Sequence, residues 1–240
     1  MLTVPLLQCS QVQFSWPGRS QSIIEIDEWS IAQGEKVFLH GPSGSGKSTF
    51  LNLIAGVLTP RRGGIRILGE DLGALSAHRR DQFRGDHLGF VFQTFNLIPY
   101  LSAIENVVLP LHFSLRKRQR VQSKGVSGHD EAVRLLKELQ IPENVLRTRH
   151  VSEFSIGQQQ RVAAARALMG DPEFIIADEP TSALDAGVRE HFLHLLFKES
   201  QRIGAALLFV SHDLSLGRHF DRQVELGRIN KVRATHLEER

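Results

Sequence analysis

The chain has 240 residues, 41% of them hydrophobic and 23% charged, with a formal net charge of +3 and a single cysteine, Cys9. That length can bury a substantial core but is short for two independent domains, and the charge is too small to imply nucleic-acid binding. No apolar run approaches the ~18–20 residues needed to span a bilayer, and one cysteine rules out an internal disulfide and suits the cytoplasm.

Leu6-Leu7-Gln8-Cys9 lacks the basic and apolar regions of a signal peptide and reads as the lead-in to a first β-strand. Gly34-Glu35 marks a turn before a strand over Lys36–His40. The glycine-rich segment 41–48 leads into a helix over 49–55, with Gly56 placed as its C-terminal cap. Arg62-Gly63-Gly64 is a further turn, and 88–92 reads as a strand. From residue 100 to about 170 the pattern turns helical. Helices are expected over 103–115, over 131–139 (Val133, Leu135, Leu136 and Leu139 fall on a helical period, and Pro142 ends it) and over 162–169. Between the first two lies the basic run Arg116-Lys117-Arg118-Gln119-Arg120, with Lys124 nearby. Two readings stand for it, a solvated helix end or contact with anionic lipid head groups. After Glu173 the alternation becomes strand 174–178, helix 186–202 and strand 205–210, the pattern of a parallel sheet covered by helices. His191 and His194 share a helix face but have no carboxylate or cysteine partner at ligand spacing, so a surface or core-edge role is expected.

Three segments carry chemistry. Gly41-Pro42-Ser43-Gly44-Ser45-Gly46-Lys47-Ser48 has the spacing G-x-x-x-x-G-K-[ST] between a strand and a helix. Glycines let successive backbone N–H groups point inward, the helix adds its positive end, Lys47 reaches the β- and γ-phosphates, and the Ser48 hydroxyl can ligate Mg²⁺. A flexible Gly/Ser turn is the bland alternative. Phe174-Ile175-Ile176-Ala177-Asp178-Glu179 is an apolar run between breakers that ends in two acids, the place where open α/β sheets put their ligands. Asp178 can hold the Mg²⁺ and Glu179 can polarise a water for attack on the γ-phosphate. The third segment, Phe154-Ser155-Ile156-Gly157-Gln158-Gln159-Gln160-Arg161, leads into the Ala-rich stretch 162–168, with Ser155 able to cap the helix.

This third segment resembles the signature of ATP-binding cassette (ABC) ATPases, usually L-S-G-G-Q before a basic, alanine-rich helix. Ile156 stands where the usual form has its first glycine. Its place about twenty residues before the 174–178 strand makes the resemblance specific, and it extends over essentially the whole chain. It implies a P-loop NTPase fold, α/β, with a mostly parallel sheet core, an antiparallel β subdomain and a helical insertion. One domain over 1–240 is then expected, with 1–99 and 171–240 as nucleotide-binding core and 100–170 as helical subdomain carrying the signature. By the same resemblance Gln93 matches the Q-loop glutamine, a Mg²⁺ or water ligand that senses a permease. Residues 182–185 match the D-loop, with Asp185 linking two sites, and His212 matches the switch histidine that positions γ-phosphate and water. Trp16 matches an adenine-stacking aromatic, with Phe14 as the neighbouring candidate. Residues 41–49, Thr49 included, hold ATP with Mg²⁺. Ser155, Gly157 and Gln158 complete the site of a second copy in a head-to-tail homodimer, with Glu179 as general base and Lys47 on the phosphates.

Leu88-Gly89-Phe90-Val91-Phe92-Gln93-Thr94-Phe95-Asn96-Leu97-Ile98-Pro99 followed by Ala103-Ile104-Glu105-Asn106-Val107 resembles the lipoprotein-releasing and macrolide-exporting group, with the cell-division ABC ATPase a close relative. The partners this implies are integral membrane permease subunits and, among such exporters, a periplasmic adaptor. The location it implies is the cytoplasmic face of the inner membrane. Two readings stand for the apolar segment 95–101 with Phe95, Leu97, Ile98 and Tyr100, part of a groove for a short permease helix or filling of the junction with the helical insertion. Two functions remain open: powering export or extraction of a substrate, or moving an extracytoplasmic permease domain as a signal without transport. A DNA-repair or translation ATPase would need a coiled-coil insertion or second cassette, for which the chain has no room.

Overall fold

The computed structural model describes residues 4–146, 150–182 and 184–232. In chain order the elements are β1 (Leu7–Phe14), β2 (Ile24–Ile31), β3 (Lys36–His40), α1 (Lys47–Ile54), β4 (Arg62–Ile67), β5 (Glu70–Asp71), α2 (Ala77–His87) and β6 (Leu88–Val91). They continue with α3 (Ala103–Phe113), α4 (Leu115–Ser123), α5 (Gly128–Glu138), α6 (Glu143–Leu146), α7 (Ile156–Leu168), β7 (Phe174–Asp178), α8 (Ala186–Ile203), β8 (Ala206–Val210), β9 (Arg222–Glu225) and α9 (Leu226–Ile229). Contacts divide the chain into two compact units, one of residues 1–84 with 208–240 and one of residues 85–207. The boundary runs through β8, so β6, β7 and α8 group with the helices. Among the described residues no helix is long and apolar enough to cross a membrane.

In the first unit β1 pairs antiparallel with both β2 and β4, and β4 with β5. Alternation places Leu7, Cys9, Val12 and Phe14 of β1 and Ile24, Ile26, Trp29 and Ile31 of β2 in the core. The alternation slips by one at Gln11 (φ 51), where the β1–β4 register shifts as at a β-bulge. Opposite it Gly63 (φ 75) comes so close that an added Cβ would lie 2.1 Å from the Gln11 carbonyl oxygen, so only glycine fits. The other sheet strands of this unit lie in the order β8, β3, β9, with β3 and β9 parallel. Trp29 of β2 packs on Phe50 of α1 at 5.3 Å between ring centroids, which seats the glycine-rich loop against the antiparallel sheet. Gly56 lies just past α1 with φ 69, the expected left-handed cap.

In the second unit β6 pairs in parallel with β7. The first four residues of β7 and all of β8 are buried, as fits strands covered on both faces. Serine capping boxes start α3 (Ser102 with Glu105), α5 (Ser127 with Asp130) and α7 (Ser155 with Gln158). The α7 helix therefore begins at Ile156, six residues before the Ala-rich stretch. Ala132, Leu135, Leu136 and Leu139 give α5 and its cap their buried face.

The basic run forms α4 and spends its charges on internal acceptors. Arg116 and Arg120 pair with Glu173, whose other oxygen meets His87 at 3.1 Å, and Lys124 pairs with Glu131 and Asp171. Arg118 donates to the Leu111 carbonyl, and the buried Lys117 Nζ donates to the Leu88 carbonyl at 2.8 Å. Burial lowers the Lys117 pKa to about 8, against the pull of Asp86 and Glu173. Burial alone would raise the Glu173 pKa, yet the hydrogen bonds from His87, Arg116 and Arg120 outweigh it and hold it at about 2, from an ordinary 4.5. A carboxylate depressed in the folded state contributes stability above its unfolded pKa, and loses it as pH falls toward the folded one. Glu173→Gln should therefore cost up to about 3 kcal/mol near neutral pH. The deficit should shrink as pH falls from 4.5 toward 2, in urea unfolding of the two proteins compared at each pH.

Candidate functional site

The glycine-rich loop leaves the carboxyl end of β3 after His40. Gly44 and Gly46 take left-handed φ values of 76 and 95, a conformation that turns successive N–H groups to one side. Nothing lies within 4 Å of a Cβ built on Gly44, so the mouth of the loop is open, whereas one on Gly46 would meet Ile24 Cδ1 at 3.1 Å. Gly46 caps α1 without a side-chain hydrogen bond, which leaves the first N–H groups of that helix facing the loop. Lys47 Nζ donates to the carbonyl oxygens of Gly41 (2.7 Å) and Pro42 (3.0 Å), folding the ammonium over the loop. The buried Ser45 Oγ has no hydrogen-bond partner among the described residues. Pro42, Ser43 and Ser48 are exposed, with Gly41 and Thr49 half-buried. A nest of N–H groups, a helix start and a lysine fit a polyphosphate.

Two more predicted residues belong to this unit. Trp16 is 39% exposed and stands edge-on to Phe14, with ring centroids 5.3 Å apart, so the pair offers one free aromatic face. His212 is exposed two residues beyond β8, in a turn tightened by Asp213 N–H donating to Ser211 Oγ at 3.1 Å.

The second unit carries the acids, Gln93 and the signature. Asp178 closes β7, and Glu179 follows with φ 46. A non-glycine residue held left-handed stores on the order of 1–3 kcal/mol, and such strain clusters where side chains must be aimed. Ser182 N–H donates to the Glu179 carbonyl at 3.3 Å, fixing the turn. Gln93 is exposed just past β6, before two further left-handed residues, Phe95 (φ 59) and Asn96 (φ 47). Their carbonyls accept from Arg166 of α7 at 2.7 Å each. Asn106, fully buried on α3, accepts from Ile98 N–H at 2.8 Å and donates to the Ile98 and Ser102 carbonyls at 3.1 and 3.0 Å. Within the expected apolar groove Phe95, Leu97 and Ile98 are half-buried, while Tyr100 is 71% exposed. Farther on, α3 and α4 expose Phe113 and Leu115.

The Ser155 Oγ accepts from Gln158 N–H at 3.3 Å, and Gln158 Oε1 accepts from Ser155 N–H at 2.9 Å. The exposed hydroxyl hydrogen of Ser155 remains a donor for an anion. A groove of about 380 Å³ is lined by Ser155, Ile156, Gly157 and Gln158 together with Leu184 and Asp185. The fold thus joins the signature to the end of the D-loop; Ala183 lies outside the described residues. Ile156 is 53% exposed. The sequence reading missed Arg166 and Asn106 as anchors of the Gln93 segment. Each is a polar side chain inside a helical pattern, Asn106 buried and Arg166 half-buried, and its long-range acceptors show its task. His191 Nε2 meets Gln140 Oε1 at 2.6 Å, a local pairing.

A family profile described as ABC transporter matches residues 25–182. The chain is similar to the lipoprotein-releasing system ATP-binding protein LolD of Zymomonas mobilis subsp. mobilis, 41% identical over 199 residues, which cover 82% of this chain and 81% of that protein. It is equally similar to MJ0796, an uncharacterized ABC transporter ATP-binding protein of Methanocaldococcus jannaschii, 41% identical over 199 residues and 82% of each chain. Among solved structures, the dimeric post-hydrolysis state of the cassette MJ0796 bound to ADP and Pi matches with a TM-score of 0.80 at 33% identity, covering 97% of both chains.

Lys47→Ala should leave thermal stability nearly unchanged, since Nζ meets only two loop carbonyls. It should weaken nucleotide binding roughly 10- to 100-fold, the worth of a charged hydrogen bond to phosphate, as measured by equilibrium titration.

Proposed function

Because the chain belongs to the ABC transporter family of ATPases, we propose that it is the ATP-hydrolysing subunit of a bacterial transport complex of the lipoprotein-releasing and macrolide-export type. The observation that carries this reading is the loop built of Gly41–Gly46 and Lys47, joined in one sequence with the acids Asp178 and Glu179 and with a signature groove open at Ser155. The 41% identity to a lipoprotein-releasing ATP-binding protein supports the type of permease.

In this reading two copies pack head to tail. Each ATP lies between Lys47 of one protomer and Ser155 and Gly157 of its partner. The loop N–H groups and Lys47 hold the β- and γ-phosphates, while Trp16 stacks on the adenine. The Ser155 hydroxyl and the start of α7 add donors to the γ-phosphate. Mg²⁺, a hard cation that takes oxygen ligands, would be held by Ser48, Asp178 and Gln93 and would offset phosphate charge. Glu179, aimed by its left-handed backbone, takes the proton of the attacking water, and His212 orients that water and the γ-phosphate. Catalysis is then mainly positioning and charge stabilisation. Asp185 lines the same groove as the signature, which supports a role for it in linking the two sites of the dimer.

The permease supplies the membrane path and holds this chain at the cytoplasmic face of the inner membrane. The apolar groups after Gln93, ending in the exposed Tyr100, are the proposed contact for a permease helix. A periplasmic adaptor would meet the permease rather than this chain.

Glu179→Gln keeps shape and hydrogen bonding but removes the base, so turnover should fall by ~10²–10⁴. With ATP and Mg²⁺ the variant should run as a dimer in size-exclusion chromatography with light scattering, best measured on the complex with its permease. Unchanged turnover, or a monomer at saturating nucleotide, would refute the role.

A further inference from the structure

Arg166 lies at the far end of α7 from Ser155. Both of its side-chain hydrogen bonds go to backbone carbonyls two and three residues past Gln93, Nη2 to Phe95 and Nη1 to Asn96, each at 2.7 Å. Burial lowers the pKa of its guanidinium, and no carboxylate among the described residues pairs with it. A charge taken partly out of water without a counter-ion is unfavourable unless hydrogen bonds offset the loss, and both bonds that Arg166 makes go to one strained turn. Phe95 and Asn96 both stand at left-handed φ values, which persist only where surrounding groups impose them.

The next residue of α7 grips the chain on the other side of Gln93. A Cβ on Gly89 of β6 would lie 2.2 Å from the Ala167 carbonyl oxygen, so helix and strand meet in backbone contact there. Arg166 and Ala167 thus bracket Gln93, four residues before it and two to three after it. Farther along, the bonds of Asn106 hold residues 98–102 to α3 instead. Residues 99–101 are also held by the stretch that leads into α7, where Val151 N–H donates to the Leu101 carbonyl at 3.0 Å and Ser152 N–H to that of Pro99 at 3.4 Å, so Arg166 itself holds the part next to Gln93.

We infer that Arg166 is the positioning residue that sets Gln93 from the signature helix, so that contact at Ser155 is passed through α7 to the Gln93 segment. The inference rests on the proposed role of Gln93 at the reacting phosphate. Eleven residues separate Ser155 from Arg166, roughly 16 Å along a helix that moves as one body. In the head-to-tail dimer Ser155 touches the partner's nucleotide while Gln93 serves its own protomer's. The clamp therefore couples occupancy of one ATP site to the geometry of the other.

The test is a double-mutant cycle in the full-length protein, with steady-state ATP hydrolysis and equilibrium ATP binding measured for each member. Arg166→Ala should lower kcat roughly 10- to 100-fold, the usual cost of misplacing a reacting group, and leave the ATP Kd within about twofold. Arg166→Lys, which keeps the charge and loses the paired donors, should fall between it and the wild type. Arg166→Ala combined with Gln93→Ala should be no slower than Gln93→Ala alone, because two residues acting through one contact are not additive. Losses that multiply, or an equal loss of ATP affinity, would overturn the link. Wild-type turnover in Gln93→Ala would sink the reading of Gln93 and the link with it. A slow Gln93→Ala beside a normal Arg166→Ala would remove Arg166 alone. If Arg166→Ala does not fold, Arg166→Lys carries the same cycle with the same two outcomes.

Discussion

Backbone N–H and C=O groups released where a buried strand ends lose their ladder partners and must be satisfied by whatever the next few residues supply. Four of the candidate segments begin at such a point, Gly41 after β3, Gln93 after β6, Glu179 after β7 and His212 after β8, while the segment at Ser155 begins at a helix cap instead. The loops answer the demand in different ways. The segment after β3 turns its N–H groups toward an anion by way of Gly44 and Gly46, and the Lys47 ammonium takes two of its carbonyls. The segment after β6 has no glycine, so a guanidinium from α7 and a buried amide from α3 take its carbonyls. Where the chain cannot satisfy itself locally, it borrows donors from helices packed beneath it. That borrowing ties the loops to elements that can move them.

Charge within residues 85–207 follows a similar economy. The arginines and lysines of α4 would repel one another if left to themselves, but they converge on Glu173, Asp171 and two carbonyls at strand and helix ends. A surface ion pair contributes little, whereas partly buried carboxylates with several donors each form a network that resists being taken apart one member at a time. The cluster fixes the amino-terminal ends of β6 and β7, since His87 and Leu88 precede and open the one and Glu173 precedes the other. It stands at the opposite end of those strands from Gln93 and Asp178.

Local patterns made much of this readable in advance. Spacing gave the loop and its strand and helix, the Ser155 cap, and the all-apolar β7 and β8, because each of those signals lies within a few residues. The α2 helix escaped because Ala77–His87 buries none of its side chains, so no apolar period marks it. The fate of Arg116–Lys124 was equally hidden: sequence shows a cluster of like charges, while Glu173, which takes Arg116 and Arg120, lies more than fifty residues away. Arg166 is the sharpest case. Within the Ala-rich helix it reads as one more polar position, and its role appears only when residues 95 and 96 are seen in left-handed conformation against it.

The departure at Ile156 is resolved by backbone geometry. Glycine is demanded where φ is positive or where another backbone comes too close for a side chain, and neither holds here. Ile156 is the first helical residue of α7, outside the left-handed region, and more than half of it is exposed. A β-branched residue restricts its own rotamer there without straining the turn. With Leu184 and Val188 it gives the groove an apolar wall, beside the donors of Ser155 and the start of the helix. The Ser155 hydroxyl is held by its capping bond to Gln158 N–H before any ligand arrives, so the anion-binding end of α7 is ordered in advance. What Ile156 changes is therefore the exposed surface of the groove, while the start of the helix stays as the capping box sets it.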